Sequence, residues 1–335
     1  MSNPDDDVRR LLHDAVSVVQ PHGSFDDIRS RTDKVVPMKR WFLPTIAVAA
    51  VMAAVVGGAF WLVNNDDTSG SPSGTPSHST APDTPGTSPS SDDVTTRRAV
   101  PVYWVGDTAH GTKLFREFQQ EQVCGGDECL LKASVVTAMS GHPDDADYDA
   151  PWPSGTGLGD LTYEGGTLTI GLTGDVHDRP SGMSAADAQL AIQQLIYSAQ
   201  AGLGQGRVPV QLLLDGKHTD TILGVPASEP LAAANADDVL SPVQIDSPAE
   251  GASVDGTFTV TGRASAFEAN VQWELKQGET VVRHGFATAQ ECCTLSPYSF
   301  DVTAPSGDYT LVVHDEDMSG EGRPVNQDTK EITVQ

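Results

Sequence analysis

The chain has 335 residues, enough for more than one domain, and carries 46 Asp and Glu against 20 Lys and Arg, a formal net charge of −26. Residues 64–335 hold 39 of the acids and 13 of the bases, so the whole excess lies there. A surface this acidic repels phosphate backbones and anionic membrane faces, which argues against nucleic acid as a partner.

Residues 1–42 are charge-balanced. "DDDVRRLLHDAVSVV" sets Val8, Leu11, Leu12, Ala15 and Val19 along one helical face, and Pro21 and Gly23 stop the helix. The segment is too short to bury a core and reads as a solvated tail. The competing reading is a tail that docks a cytoplasmic regulator and passes on what the outer domains sense. The tail has no cysteine, so it lacks the His-Cys-Cys zinc motif of many anti-sigma domains.

"LPTIAVAAVMAAVVGGAFWLV", residues 43–63, contains no charge and as a helix spans about 30 Å, the thickness of a bilayer core. Trp41 and Trp61 stand near its ends as interfacial anchors. The preceding region is too long for a signal-peptide n-region, "FWLVNNDD" offers no small-residue cleavage site, and no lipid-bearing cysteine follows. A single uncleaved anchor is expected. Lys34, Lys39 and Arg40 before it, with Asp66 and Asp67 after it, put the N-terminus in the cytoplasm and the bulk of the chain outside.

Residues 64–98 are rich in Ser, Thr, Pro and Gly and read as a disordered linker. From Ala99 the pattern changes. "AVPVYWVGD" and "KLFREFQQEQ" read as strands, "LLKASVVTAM" as a short helix, and "LTYEGGTLTIGL" as a hairpin turning at Gly165-Gly166. "SAADAQLAIQQLIYSAQAGL" is the clearest helix, with Ser184 and Asp187 as a capping box, an apolar stripe of Leu190, Ile192, Leu195, Ile196 and Ala199, and Gly202 as its expected end. "VPVQLLLDGKHTDTILG" gives two strands about Asp215-Gly216. Intermingled strands and helices over 99–235 predict an α+β domain.

Over 242–335 only strands are found: "VQI", "FTVTGRA", "NVQWELK", "ETVVRHGF", "YSFDV", "DYTLVVH" and "KEITV". Seven short strands, with Trp273 expected in the core, predict an all-β immunoglobulin-like sandwich.

At these residues the chain resembles known modules. "VPVYWVGD", "KLFREFQ", "GTLTIGL", "AIQQLIYSAQ" and "VPVQLLLDGK" resemble the GerM-type sporulation and germination domain, GerMN. "VQIDSPAEGASVDGTFTVTGRASAFEANVQWEL" and "DTKEITVQ" resemble the immunoglobulin-like domain of bacterial spore germination. The resemblance implies a non-enzymatic binding or assembly role in the bacterial envelope. The expected ligand is a neighbouring envelope protein or a cell-wall polymer, bound at a sheet edge or loop end, where backbone groups can pair without special side chains.

Candidate chemistry is sparse. "DEDMSGEG", residues 315–322, places Asp315, Asp317, Ser319 and Gly320 at EF-hand positions, but strands flank it and position 12 is Asn326 rather than Glu. It reads as a solvated polar loop, as does "GHPDDADYD" at 141–149 with His142, Asp144 and Asp145. No G-x-S-x-G, H-E-x-x-H or Walker sequence occurs, so no catalytic, cofactor-binding or metal residue is assigned and no cofactor is expected; a cell-wall hydrolase remains the alternative enzyme reading. All four cysteines fall outside the membrane, where disulfides persist. "CGGDEC" favours a local Cys124–Cys129 bridge. Cys292 and Cys293 form either a vicinal disulfide or pairs across domains.

Overall fold

The computed structural model describes residues 95–317 and 320–335, all within one compact unit, Pro82–Gln335. The N-terminal tail and the expected anchor at 43–63 lie outside the described residues, among which no helix is long and apolar enough to cross a membrane.

The chain opens with a long hairpin, β1 (Thr95–Thr108) and β2 (Gly111–Cys124), paired from Thr95↔Cys124 to Thr108↔Gly111. The first four residues of β1 lie ahead of the expected domain start at Ala99, because Thr95–Arg98 find partners in Glu121–Cys124. α1 (Asp127–Ser140) follows, then β3 (Tyr148–Asp149), which pairs with β1 at Val105 and Gly106. β4 (Gly157–Glu164) and β5 (Thr167–Thr173) turn at Gly165 and Gly166, whose φ angles of 58° and 81° are open to glycine and close a two-residue hairpin.

α2 (Ala185–Leu203) carries the chain from β5 to the parallel β6 (Val210–Leu214). Its capping box is present: Asp187 N–H donates to Ser184 Oγ, and Ser184 N–H donates to Asp187 Oδ2, each at 3.0 Å. Ile192, Leu195, Ile196 and Ala199 are buried against α1, β1 and β5, each large side chain adding about 1.5–3 kcal/mol. Buried Gln194 joins three segments, donating to the carbonyls of Tyr103 (2.7 Å) and Ala138 (3.0 Å) and accepting from Trp152 Nε1 (2.9 Å). The helix does not end at Gly202. That glycine is buried where α1 crosses, and a Cβ there would stand 2.6 Å from Ser134 Oγ; the end falls at Gly204, left-handed with φ 67°. Short strands β7 (Lys217–His218), β8 (Thr221–Ile222) and β9 (Val225–Pro226) and the single-turn α3 (Ala236–Val239) complete this domain.

The second domain is a two-sheet sandwich. β10 (Val243–Ser247), β12 (Thr257–Ala264) and β15 (Ser296–Thr303) form one sheet. The other runs in the order β11 (Ala252–Val254), β17 (Gln327–Val334), β16 (Gly307–His314), β13 (Asn270–Gln277), β14 (Thr280–Thr288). Eight strands are present where the sequence pattern gives seven. The added one, β11, is three residues long and pairs parallel with β17, too short to show an alternation. Trp273 is half-buried and packs against the sandwich core, in phase with buried Val271 and Leu275. It faces Gly285 across the strand pair and stacks on Phe300 with centroids 5.1 Å apart. A Cβ at Gly285 would lie 2.7 Å from the indole, so the glycine makes room for the ring.

Candidate functional site

Where the two domains meet, charge is buried. Asp328 and Lys330 alternate in phase with Ile332 and Val334 on the inner face of β17, at positions that a sandwich normally fills with apolar side chains. Lys330 Nζ donates to Asp145 and, at 2.9 Å, to Tyr148 Oη; Asp328 Oδ1 lies 3.7 Å away. Tyr148 Oη in turn donates to Asp328 Oδ1 at 2.6 Å, and Ile245 N–H donates to Asp328 Oδ2 at 2.6 Å. The Lys330 ammonium also sits over the Tyr148 ring. Beside this cluster Arg116 of β2 grips Asp246 of β10 with two hydrogen bonds, 3.0 and 2.6 Å.

The segment 141–149 is what the first domain offers to this joint, so its reading as a solvated loop is corrected. Glu117 holds it from beneath, accepting from the N–H groups of Asp145 (2.9 Å) and Asp144 (3.1 Å), and Asp145 is buried. Burial lifts the Glu117 carboxyl above its usual range, against those N–H bonds and the pull of Lys330. Burial likewise raises Asp328, with Lys330 opposing. For Lys330 burial works to lower the ammonium, but Asp328 and Asp145 outweigh it and the net direction is upward. The cluster is therefore a structural joint whose groups satisfy one another.

A second feature faces solvent. The N-terminal half of α2, α3 and the strap at Leu231–Ala234 enclose a groove of about 580 Å³. Its walls include Leu190, Val225, Leu231 and Val239, and its charged lining residues are Asp187 and Asp238. Gln193 fixes the strap: its Oε1 accepts from Ala234 N–H at 2.7 Å, and Tyr197 Oη donates to the Ala234 carbonyl at 2.8 Å. Leu190, read as part of the apolar stripe, is half-buried: it packs against the buried cluster of Tyr103, Leu114 and Leu240 and also lines this groove.

The remaining residues singled out in the sequence stay apart from both features. Cys124 and Cys129 are disulfide-bonded across the turn into α1, with Cα atoms 5.6 Å apart, and Cys292 is bonded to Cys293 in the loop between β14 and β15. In the 315–322 loop, Asp315 accepts from Asn326 N–H (2.9 Å) and Nδ2 (2.7 Å), and Glu316 accepts from Asn270 (2.9 Å). Asp317 accepts from Arg323 N–H at 2.9 Å. These acids hold their own loop closed and are not simply solvated. No cluster of three or more metal-type ligands occurs among the described residues.

The comparisons with known proteins follow the same division. The family model described as sporulation and spore germination matches residues 101–220, and that of the immunoglobulin-like domain of bacterial spore germination matches residues 242–321. Among solved structures, one described as a lipoprotein from Clostridium perfringens is similar at 17% identity and a TM-score of 0.29, over 41% of this chain and 87% of that one. The tandem GerMN domains of the sporulation protein GerM from Bacillus subtilis are similar at 12% identity and a TM-score of 0.31, over 63% of this chain and 62% of that one. No curated protein matches the chain.

Proposed function

Since the chain belongs to the sporulation and spore germination (GerMN) proteins and joins that domain to the immunoglobulin-like domain of bacterial spore germination, we propose that it is a non-catalytic binding or assembly module of the bacterial cell envelope. In this reading the helix at 43–63 anchors it with its N-terminus in the cytoplasm, and the linker lets the paired domains work outside the membrane. The ligand is a neighbouring envelope protein or a cell-wall polymer. The observation that supports the reading best is the buried joint of Asp145, Tyr148, Asp328 and Lys330. Two small domains that bury charge between them act as one rigid face, which suits a scaffold.

The test is crosslinking of the full-length protein in its own cells with mass spectrometry, beside a peptidoglycan pulldown. Reproducible crosslinks from residues 95–335 to an envelope protein, or retention on peptidoglycan, are expected. Release of muropeptides by the purified protein would show a hydrolase and overturn the reading. So would protease digestion of residues 1–40, with the rest protected, in intact wall-stripped cells.

A further inference from the structure

We propose that the groove between α2 and α3, continued by Phe267 beyond α3, is the docking surface for a basic, apolar peptide segment of a partner protein. This rests on the binding-module reading and names the surface and the chemistry of its ligand.

The surface crosses both domains. On the far side of α3, Asp237, Leu240, Ser265 and Leu295 line a smaller crevice. Leu295, like Leu190 and Val239 of the groove, packs against the buried cluster of Tyr103, Leu114 and Leu240, so one apolar cluster backs both features. The loop that carries Leu295 is tied to the turn that carries Phe267: Cys293 N–H donates to the Ala266 carbonyl at 3.3 Å, and Ala289 N–H to that of Ala269 at 2.8 Å. Phe267 is 56% exposed, a large apolar ring in water. The two residues after it, Glu268 (φ 53°) and Ala269 (φ 57°), are left-handed without being glycine. That conformation costs about 1–2 kcal/mol per residue, so the turn presenting the ring is not the one local preference would choose.

Charge selects the ligand. Residues 95–335 hold 34 acids and 13 bases. Two bases beside the groove are committed to backbone: Lys113 donates to the carbonyls of Asp237 and Asp238, and Arg207 to those of Ala233 and Ala234. The charged side chains that line the groove itself are both acids, Asp187 and exposed Asp238. Anionic wall polymers are repelled. The aliphatic walls of the groove accept aliphatic and aromatic side chains.

The experiment selects a phage-displayed library of random peptides, about twelve residues long, on immobilised full-length protein, then measures the winners by fluorescence anisotropy. Winners with Lys or Arg interleaved among Leu, Ile, Val or Phe are expected. Leu190→Arg and Asp238→Lys should each weaken them about tenfold, and Phe267→Ala about threefold. Glu164→Lys, in an exposed turn elsewhere on the acidic surface, should leave binding unchanged. Phe267 is exposed, so its variant keeps the test valid if Leu190→Arg does not fold. Failure to enrich any peptide, winners without bases, or equal loss with Glu164→Lys would overturn the proposal. Self-association, or peptidoglycan retention, that is abolished by Asp238→Lys would assign the surface to a second copy or to the wall instead. Peptide binding in solution is read independently of crosslinking in cells, so failure of the surface and failure of the envelope role are separable.

Discussion

Lys330→Met is expected to cost the fold about 3–5 kcal/mol, the usual price of leaving a buried charge without its partner. The side chains of Lys330, Asp145 and Asp328 are 2%, 5% and 2% exposed. At an effective dielectric of about 20, opposite charges at the 3.7 Å separation of Lys330 and Asp328 attract by about 4–5 kcal/mol, and Asp145 is closer still. Methionine fills nearly the same volume, so packing is kept and the electrostatic loss is isolated. Urea unfolding of residues 82–335, followed by far-ultraviolet circular dichroism, reads the effect. With a slope of about 3 kcal/mol per molar, the midpoint should fall by roughly 1–1.7 M. The deficit should shrink as the pH falls, because Asp328 is already displaced upward by burial and, without Lys330 opposing, takes a proton more readily. A midpoint shift under about 0.3 M, or a deficit that stays constant into acid, would refute the assignment of this cluster as the joint.

Three further outcomes are expected. Burial raises the Glu250 carboxyl from 4.5 to about 6, with Asp145 adding to the rise and the Glu331 N–H opposing it. A raised carboxyl favours the fold below its unfolded pKa and loses that advantage as pH climbs through the folded value. Against Glu250→Gln the native protein should therefore lose about 1 kcal/mol between pH 4.5 and 6.5, after discounting for solvent screening; parallel thermal-unfolding profiles over that range would contradict this. Gly202→Ala gains about 1 kcal/mol of helix propensity but drives a methyl into Ser134, so a net loss of about 1–2 kcal/mol is expected by calorimetry, and a raised Tm would show that α1 gives way. Replacing Cys124 and Cys129 together by Ser should cost about 2 kcal/mol by reopening the short loop in the unfolded chain, and an unchanged urea midpoint would count against that stabilisation.

Much of the fold was legible because period and turn chemistry agree. The 3.6-residue stripe of α2, the Gly165-Gly166 and Asp215-Gly216 turns and the alternating strands after Pro242 are local signals, and each is found where the sequence places it. What was not legible depends on partners distant in sequence. Nothing within "GHPDDADYD" shows that Asp145 will be dry, since its partner Lys330 stands 185 residues on. A trace was present in "DTKEITV": Asp328 and Lys330 keep the phase of Ile332 and Val334, so both point inward, and a charge pointing inward demands a partner. Gly202 was misjudged for the same reason. Helical spacing names a face but not its occupant, and here one end of the face covers a groove while the other receives α1.

A charged joint suits a surface assembled from two domains better than an apolar one would. Apolar contact is non-directional, so two greasy faces can slide past each other at small cost. The joint here is directional. Tyr148 Oη both donates to Asp328 and accepts from Lys330, Ile245 N–H reaches the other oxygen of Asp328, and Arg116 meets both oxygens of Asp246. A shift of about 1 Å would break several of these bonds at once and strand buried charge, at a few kcal/mol for each group left unpaired. Burying ions therefore adds little net stability but makes one register far better than its neighbours. That register matters because Leu190 and Phe267 lie on different domains with α3 between them, and a peptide can engage both only if their spacing is held. The same reasoning explains why the joint and the groove share no residue: the groups that fix the alignment are fully satisfied by one another, which leaves the apolar, acid-rimmed face beside α3 free to meet a partner.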